Sequence, residues 1–140
     1  MSIKLIALIV ALVSVVPFGN TKEITEEKID SQLEEIEDRF TPRILGELFG
    51  TIKGCRLSGR ISKDSEAKVL GEGRFEEITD AKIQSPQNVI VFDTAFYLAF
   101  DNAHRGDVSC KDFSESLSKY VDKADRYNQL ISLSKATKNS

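Results

Sequence analysis

Apolar residues recur at helical spacing near the start of the chain. Between residues 22 and 40 they lie three or four positions apart, which predicts an amphipathic helix. Its apolar face consists of Ile29, Leu33, Ile36 and Phe40. A second helix is expected to begin at Thr41-Pro42, because Thr is a good N-cap and Pro is tolerated at the first helical position. Gly54 is expected to end it.

Two glycines lie inside this second helix. Gly46 and Gly50 are four residues apart, so they fall on the same side of the helix. They either weaken the helix or allow the backbone of another element to approach it closely. The sequence alone leaves both interpretations open.

The last part of the chain carries the most regular pattern. From Cys110 onwards apolar residues are separated alternately by three and four positions over three heptads, and Ser109 with Asp112 can cap the start. The resulting seam consists of Cys110, Phe113, Leu117, Tyr120, Ala124, Tyr127 and Ile131. We expect this helix to pack along the protein's own core, with a coiled-coil dimer as the alternative.

The middle of the chain is less regular. Between residues 55 and 75 apolar and polar residues alternate, which is the period of a strand, and Gly59, Gly71 and Gly73 disfavour a helix. We therefore predict a short β-hairpin around 55–75, with a long ordered loop as the alternative. Residues 89–100 contain only two polar side chains and predict a buried helix, whose start would also suit a buried strand. The fold class is thus mainly α, a small disulfide-tied domain of about four helices covering 22–140.

The first 21 residues have the layout of a secretory signal peptide. A start with one basic residue, Lys4, precedes an apolar run from Leu5 to Phe18, and no acidic residue occurs before Glu23. The run is shorter than the roughly 20 residues that span a bilayer. We predict a signal peptide over 1–21 and an exported product without a stable membrane span, periplasmic in a bacterium and otherwise secreted. An uncleaved membrane anchor is the alternative.

Two cysteines and one histidine are the main candidates for chemistry. Export leads to an oxidising compartment, where we expect Cys55 and Cys110 to form a disulfide. That pairing leaves no free thiolate, and His104 accompanies no nucleophile motif. A zinc site would need more His or Cys ligands. The sequence therefore predicts no enzymatic activity, no metal and no cofactor.

Charge narrows the choice of partner. The formal net charge of -3 disfavours nucleic acid, which usually selects a basic surface. Residues 22–40 hold eight acidic residues against three basic ones, while the C-terminal stretch is basic. These two elements either lie side by side and offset each other, or the acidic helix meets a basic partner. The candidate partner-binding residues are Glu27, Asp30, Glu34 and Glu37 on the first helix and Phe113, Leu117 and Tyr120 on the last.

The start of the final helix resembles the end of the pilotins, which escort secretins of the type II secretion system. In pilotins a disulfide cysteine opens a last helix with Phe, Leu and an aromatic residue at the spacing seen over residues 110–121, and the separation of Cys55 from Cys110 is similar. This chain lacks the lipidation cysteine usual in that family, and its glycines between 54 and 73 stand where the family is helical. The resemblance implies a protein that holds a partner's segment in a helical groove.

The predicted function is that of a small exported protein without enzymatic activity, which binds a protein partner as an escort, an adaptor or a subunit of an envelope complex. We expect a monomer or a weak homodimer. One alternative is an immunity-type protein that neutralises a toxin. The other is a carrier of an apolar small ligand. The side chains that would line its pocket are Phe92, Phe96, Tyr97, Leu98 and Phe100.

Overall fold

The computed structural model describes residues 25–71 and 73–139, so the predicted signal peptide lies outside the described residues. Within these ranges the chain forms six helices and no strand. They are α1 (Glu26–Arg39), α2 (Pro42–Leu57), α3 (Lys63–Leu70), α4 (Glu76–Lys82), α5 (Pro86–Arg105) and α6 (Cys110–Lys138). The mainly helical class is confirmed, whereas the count of four helices and the hairpin are wrong.

The helix starts follow local capping chemistry. The Thr41 hydroxyl accepts a hydrogen bond from the Ile44 amide at 3.2 Å, and Pro42 is the first residue of α2. The Ser109 hydroxyl accepts from the Asp112 amide at 3.3 Å and so caps α6. Both starts are confirmed, because a side-chain oxygen at the N-cap satisfies an amide that has no partner within the helix.

The predicted hairpin is a helix flanked by turns. The Ser62 hydroxyl accepts from the Ser65 amide at 3.0 Å and caps α3, which occupies the centre of the segment. Three glycines with positive φ lie in the turns: Gly59 (75°), Gly71 (57°) and Gly73 (75°). These glycines supply left-handed backbone between helices, so they do not argue against the helix that lies between them. The alternation of apolar and polar residues over 55–75 therefore does not correspond to a strand.

The main core forms where α1, α2, α4 and α6 meet. Its buried residues are Ile29, Leu33, Phe40, Leu45, Leu48, Ile52, Phe75, Ile78, Leu117, Ala124, Tyr127 and Leu130. Phe40 is fully buried and makes edge-to-face contacts with the rings of Phe75 and Tyr120. Near the end of α6, Leu130 and Ser134 are the buried residues, whereas Ile131 is only partly buried. This shift is expected because an α-helix drifts away from a strict heptad repeat.

Helix α5 lies against α2 at backbone contact distance. A Cβ atom added at Gly46 would lie 2.9 Å from the Ala95 Cβ, and one added at Gly54 would lie 2.8 Å from the Ala103 Cβ. One added at Gly50, between them, would overlap the carbonyl oxygen of Phe96. The glycines of α2 therefore allow a close backbone approach. The prediction that Gly54 ends α2 is wrong, since it is buried at this contact and the helix continues to Leu57.

The disulfide joins the end of α2 to the start of α6. Cys55 and Cys110 are bonded, with Cα atoms 5.9 Å apart, and both are buried against Ala103 and Ile61. The predicted pairing is confirmed. Because Cys110 is the first residue of α6, the bridge fixes where that helix begins relative to α2.

A buried tyrosine joins α6 to α1. The Tyr127 hydroxyl donates a hydrogen bond to Glu37 Oε1 at 2.6 Å. Burial, this hydrogen bond and the negative charge of Glu37 raise the pKa of Tyr127 well above its usual range. The folded protein therefore keeps Tyr127 protonated at pH values at which an unfolded chain ionises it.

The high pKa of Tyr127 predicts a loss of stability in alkaline solution. Since the pKa is higher in the folded state, the contribution of Tyr127 to the free energy of unfolding is complete below about pH 10. Above that pH the contribution declines by up to about 1.4 kcal/mol per pH unit. Urea unfolding of the protein and of Tyr127→Phe between pH 9 and 11.5 measures this decline, which the variant is expected to lack. Tyr97→Phe is the matched control, because Tyr97 is 68% exposed and is expected to behave as the unaltered protein does. Identical pH profiles for Tyr127→Phe and the unaltered protein would contradict the prediction.

Candidate binding groove

Helix α5 presents large apolar side chains to solvent. Ala95 and Ala103 are its only buried residues. Five large apolar residues of this helix are 39–68% exposed: Val89, Ile90, Val91, Tyr97 and Leu98. The predicted helix is confirmed, but the prediction that it is buried is wrong. The backbone contact with α2 is made through small residues, and these five large side chains remain exposed.

Three of these five exposed residues belong to one wall of a groove. Ile90, Val91 and Leu98 of α5 face Phe113 and Tyr120 of α6, and the floor is made by α2. We call this space the α5–α6 groove; its volume is about 800 Å³. Helix α5 packs along α2 and makes few contacts with α6, which leaves the space between them open.

The groove is elongated along the helix axes. On α5 its lining runs from Ile90 to Asn102, which corresponds to about 18 Å at a rise of 1.5 Å per residue. This is a little more than three helical turns. The groove therefore has the length of a short helix, and three helices already surround it.

The floor of the groove includes one buried polar group. Thr51 of α2 lines the groove and is 6% exposed. A hydroxyl can both donate and accept a hydrogen bond, so a bound molecule could form one with Thr51.

Charged side chains at the groove are arranged unequally. On the α2 side, Arg43 Nε lies 2.9 Å from Glu47 Oε1, so the two charges offset each other. On the α6 side, Lys119 is exposed and forms no ion pair within the described residues. Lys119 is therefore the charged residue of the groove lining that has no ion-pair partner among the described residues.

The candidate residues on α6 have two different roles. Phe113 and Tyr120 line the groove, where a bound molecule would contact them. Leu117 is 3% exposed and belongs to the main core, so it does not present a surface to a partner in this structure. The difference arises because the seam of α6 is wider than the strip that packs against the core.

The acidic candidates lie away from the groove, on α1. Glu27, Asp30 and Glu34 are exposed, and Glu37 is half-buried beside Tyr127. Helix α1 packs along α6, so the acidic and basic elements are neighbours, as the first of the two interpretations of their charge expects. No ion pair joins the two helices among residues 25–71 and 73–139. The groove and the acidic surface are separate features.

A row of stacked rings occupies another face of α5. The rings of Phe92, Phe96, Phe100 and His104 follow one another at centroid distances of 5.8–6.2 Å. Of the five side chains predicted to line a ligand cavity, Leu98 alone is among those that line the groove. His104 lies in the last turn of α5 and stacks on Phe100.

The described residues contain no group of three or more His, Cys, Asp or Glu side chains placed to hold a metal ion. In the same part of the chain, no helix is long and apolar enough to cross a membrane. No protein-family model, curated protein or solved structure matches this chain.

The sequence-based prediction missed the α5 wall of the groove. A signal for it was present, because Gly46, Gly50 and Gly54 repeat every four residues on α2. Such a repeat indicates a contact through backbone, and a contact of that kind buries small residues of the neighbouring helix. Ile90, Val91 and Leu98 are then left without a place in the core.

Proposed function

We propose that the protein binds a helical segment of a partner protein in the α5–α6 groove. The observation that carries the proposal is the exposed apolar wall of Ile90, Val91 and Leu98, which faces Phe113 and Tyr120 across an open space. Contiguous exposed apolar surface is costly in water and marks interaction sites in folded proteins. Binding would bury this surface.

The dimensions of the groove favour a helix as its occupant. A length of about 18 Å accommodates roughly three helical turns. Helices pack with their axes about 8–10 Å apart, and α2, α5 and α6 surround the space that a further helix would fill. An amphipathic helix in an apolar groove is a recurrent mode of recognition.

The setting of the proposed interaction is outside the cytoplasm. The disulfide between Cys55 and Cys110 supports an oxidising compartment, and the signal-like segment over 1–21 supports export. The role is that of an escort, an adaptor or an envelope-complex subunit, without enzymatic activity. The resemblance of residues 110–121 to pilotins supports an escort, since two of the residues that carry it, Phe113 and Tyr120, line the groove. A toxin neutralised by an immunity-type protein would be a partner of the same kind.

A second candidate function is the carriage of an apolar small molecule. The volume of about 800 Å³ lies within the range of small-molecule sites, and the Thr51 hydroxyl on the floor offers a polar contact of the kind such sites use. The open sides and the length of the groove favour a peptide helix over this alternative.

Replacement of Leu98 by arginine is expected to weaken the binding of helical peptides strongly. Peptides that bind the full chain are first selected from a random library of helix-forming sequences, and their dissociation constants are measured by fluorescence anisotropy. We expect Leu98→Arg to raise these dissociation constants at least tenfold, because it places a charge on the apolar wall that the peptide must cover. Leu57→Arg is the matched control, since Leu57 is 65% exposed against 63% for Leu98 and lies outside the groove.

Circular dichroism and thermal unfolding of both variants establish that the fold is retained, which the exposure of both residues predicts. Selected peptides that bind Leu98→Arg as tightly as the unaltered protein would contradict the proposed site. Failure to select any peptide, together with saturable binding of a long-chain fatty acid that Leu98→Arg weakens, would favour the carrier.

A further inference from the structure

Lys119 differs from the other cations at the groove. Arg43 pairs with Glu47 at 2.9 Å, and Arg105, just beyond the end of the groove on α5, lies 3.2 Å from Asp101 Oδ2. Lys119 lines the groove from α6 and has no acidic partner in the part of the chain that the structure describes.

The acidic residues closest to Lys119 along α6 do not neutralise it. Glu115 and Asp122 are one turn before and one turn after it, yet neither forms an ion pair with it in the structure. Lys123, one turn further along the same side of α6, likewise forms none. Of the α6 residues that line the groove, Lys119 is therefore the charged one, in a protein whose formal net charge is -3.

We infer that the helix bound in the α5–α6 groove carries an acidic side chain on the side that faces α6, where it pairs with Lys119. This inference rests on the proposed function and adds the chemistry of the partner. The groove is lined by two cations and one anion, Arg43, Lys119 and Glu47, and only the charge of Lys119 is left to be met from outside. The paired Arg43 and Glu47 of α2 create no such preference, so an acidic side chain directed towards α6 also fixes how the bound helix is rotated about its own axis.

The expected size of this selection is modest and measurable. Lys119 is exposed, and an ion pair in that setting changes affinity about two- to fivefold. The apolar wall provides most of the affinity, and the charge of Lys119 determines how the bound helix is positioned. Raised salt should reduce the preference for acidic peptides, because exposed pairs are screened.

The experiment uses helical peptides selected on the full chain. Each Glu or Asp in the selected peptides is replaced in turn by Gln or Asn, and every pair is measured on the unaltered protein, on Lys119→Gln and on Lys119→Glu. We expect one acidic position whose replacement weakens binding two- to fivefold on the unaltered protein and has no effect on Lys119→Gln. On Lys119→Glu the neutral peptide should bind more tightly than the acidic one.

Lys28→Gln, which removes one exposed charge from α1, is the matched control and should leave the preference unchanged. Peptides that compete for the groove but show no acidic position dependent on Lys119 would overturn the inference while leaving the groove as the binding site. Peptides that are insensitive to Leu98→Arg would overturn the proposed function itself. The two failures are thus distinguishable by which variant has no effect.

Discussion

Replacement of both Cys55 and Cys110 by alanine is expected to lower the free energy of unfolding by about 4 kcal/mol. The bridge joins residues 55 positions apart, and in the chain-entropy description a bond that closes a loop of this length restricts the unfolded chain strongly. Alanine is preferable to serine because both positions are buried, and a buried hydroxyl without a partner would add a penalty of its own. Equilibrium urea unfolding at pH 7 measures the loss.

Reduction provides the internal control for this prediction. A thiol reductant should lower the stability of the unaltered protein towards that of the double variant and should leave the variant unchanged. A loss below about 1 kcal/mol would mean that the unfolded chain is already restricted without the bridge, since residual structure in that state reduces the effect.

Gly50→Ala is expected to destabilise the protein by about 3 kcal/mol, the upper end of the usual range for an overfilled contact. In an exposed helix the same change is stabilising by about 1 kcal/mol, so the sign itself is informative. The added Cβ would overlap the carbonyl oxygen of Phe96, which belongs to the backbone of α5 and cannot rotate away. Urea unfolding gives the loss, and hydrogen exchange should show weakened protection of α5 amides.

Gly59→Ala separates this overlap from the conformational effect of losing a glycine. Gly59 has φ of 75° and no atom within 4 Å of an added Cβ, so its replacement carries only the strain of a left-handed residue, about 1–2 kcal/mol. Protection of α5 should not change in this control. Equal losses for the two variants, or unchanged protection in Gly50→Ala, would contradict the close contact.

The parts of the fold that the sequence predicts are those set by neighbouring residues. Thr41 and Ser109 each satisfy an amide three residues along, so the starts of α2 and α6 can be read from short segments. The seam of α6 is also visible, because its residues share one face whatever they pack against. The cysteine pairing followed from the number of cysteines and the expected compartment.

The errors arise where distant parts of the chain decide the outcome. The alternation over 55–75 suggested strands, yet its period does not reveal which residues will meet a core, and α3 forms with no buried residue of its own. The apolar content of α5 suggested burial, but that depends on how α2 meets it. The contacts of Gly46 with Ala95 and of Gly54 with Ala103 show which residues of α5 take the buried positions.

The candidate site was predicted in part for the same reason. Phe113 and Tyr120 were found because α6 is regular, whereas Leu117 shares their stripe and is in the core. Which residues of one stripe reach a surface depends on the width of the neighbouring helix contact. The spacing of residues along one helix does not reveal that width.

The residues that attach α5 to the rest of the protein differ from those that it exposes in the groove. Its backbone meets the glycines of α2 through two alanines, and Phe92 packs on Phe49 of α2. The exposed side chains of Ile90, Val91 and Leu98 therefore contribute little to holding the helix in place. Substitutions on the groove face can therefore accumulate with small effects on folding while they alter which helix is recognised. A protein built in this way can acquire new partners in evolution, or by engineering, without first acquiring spare stability.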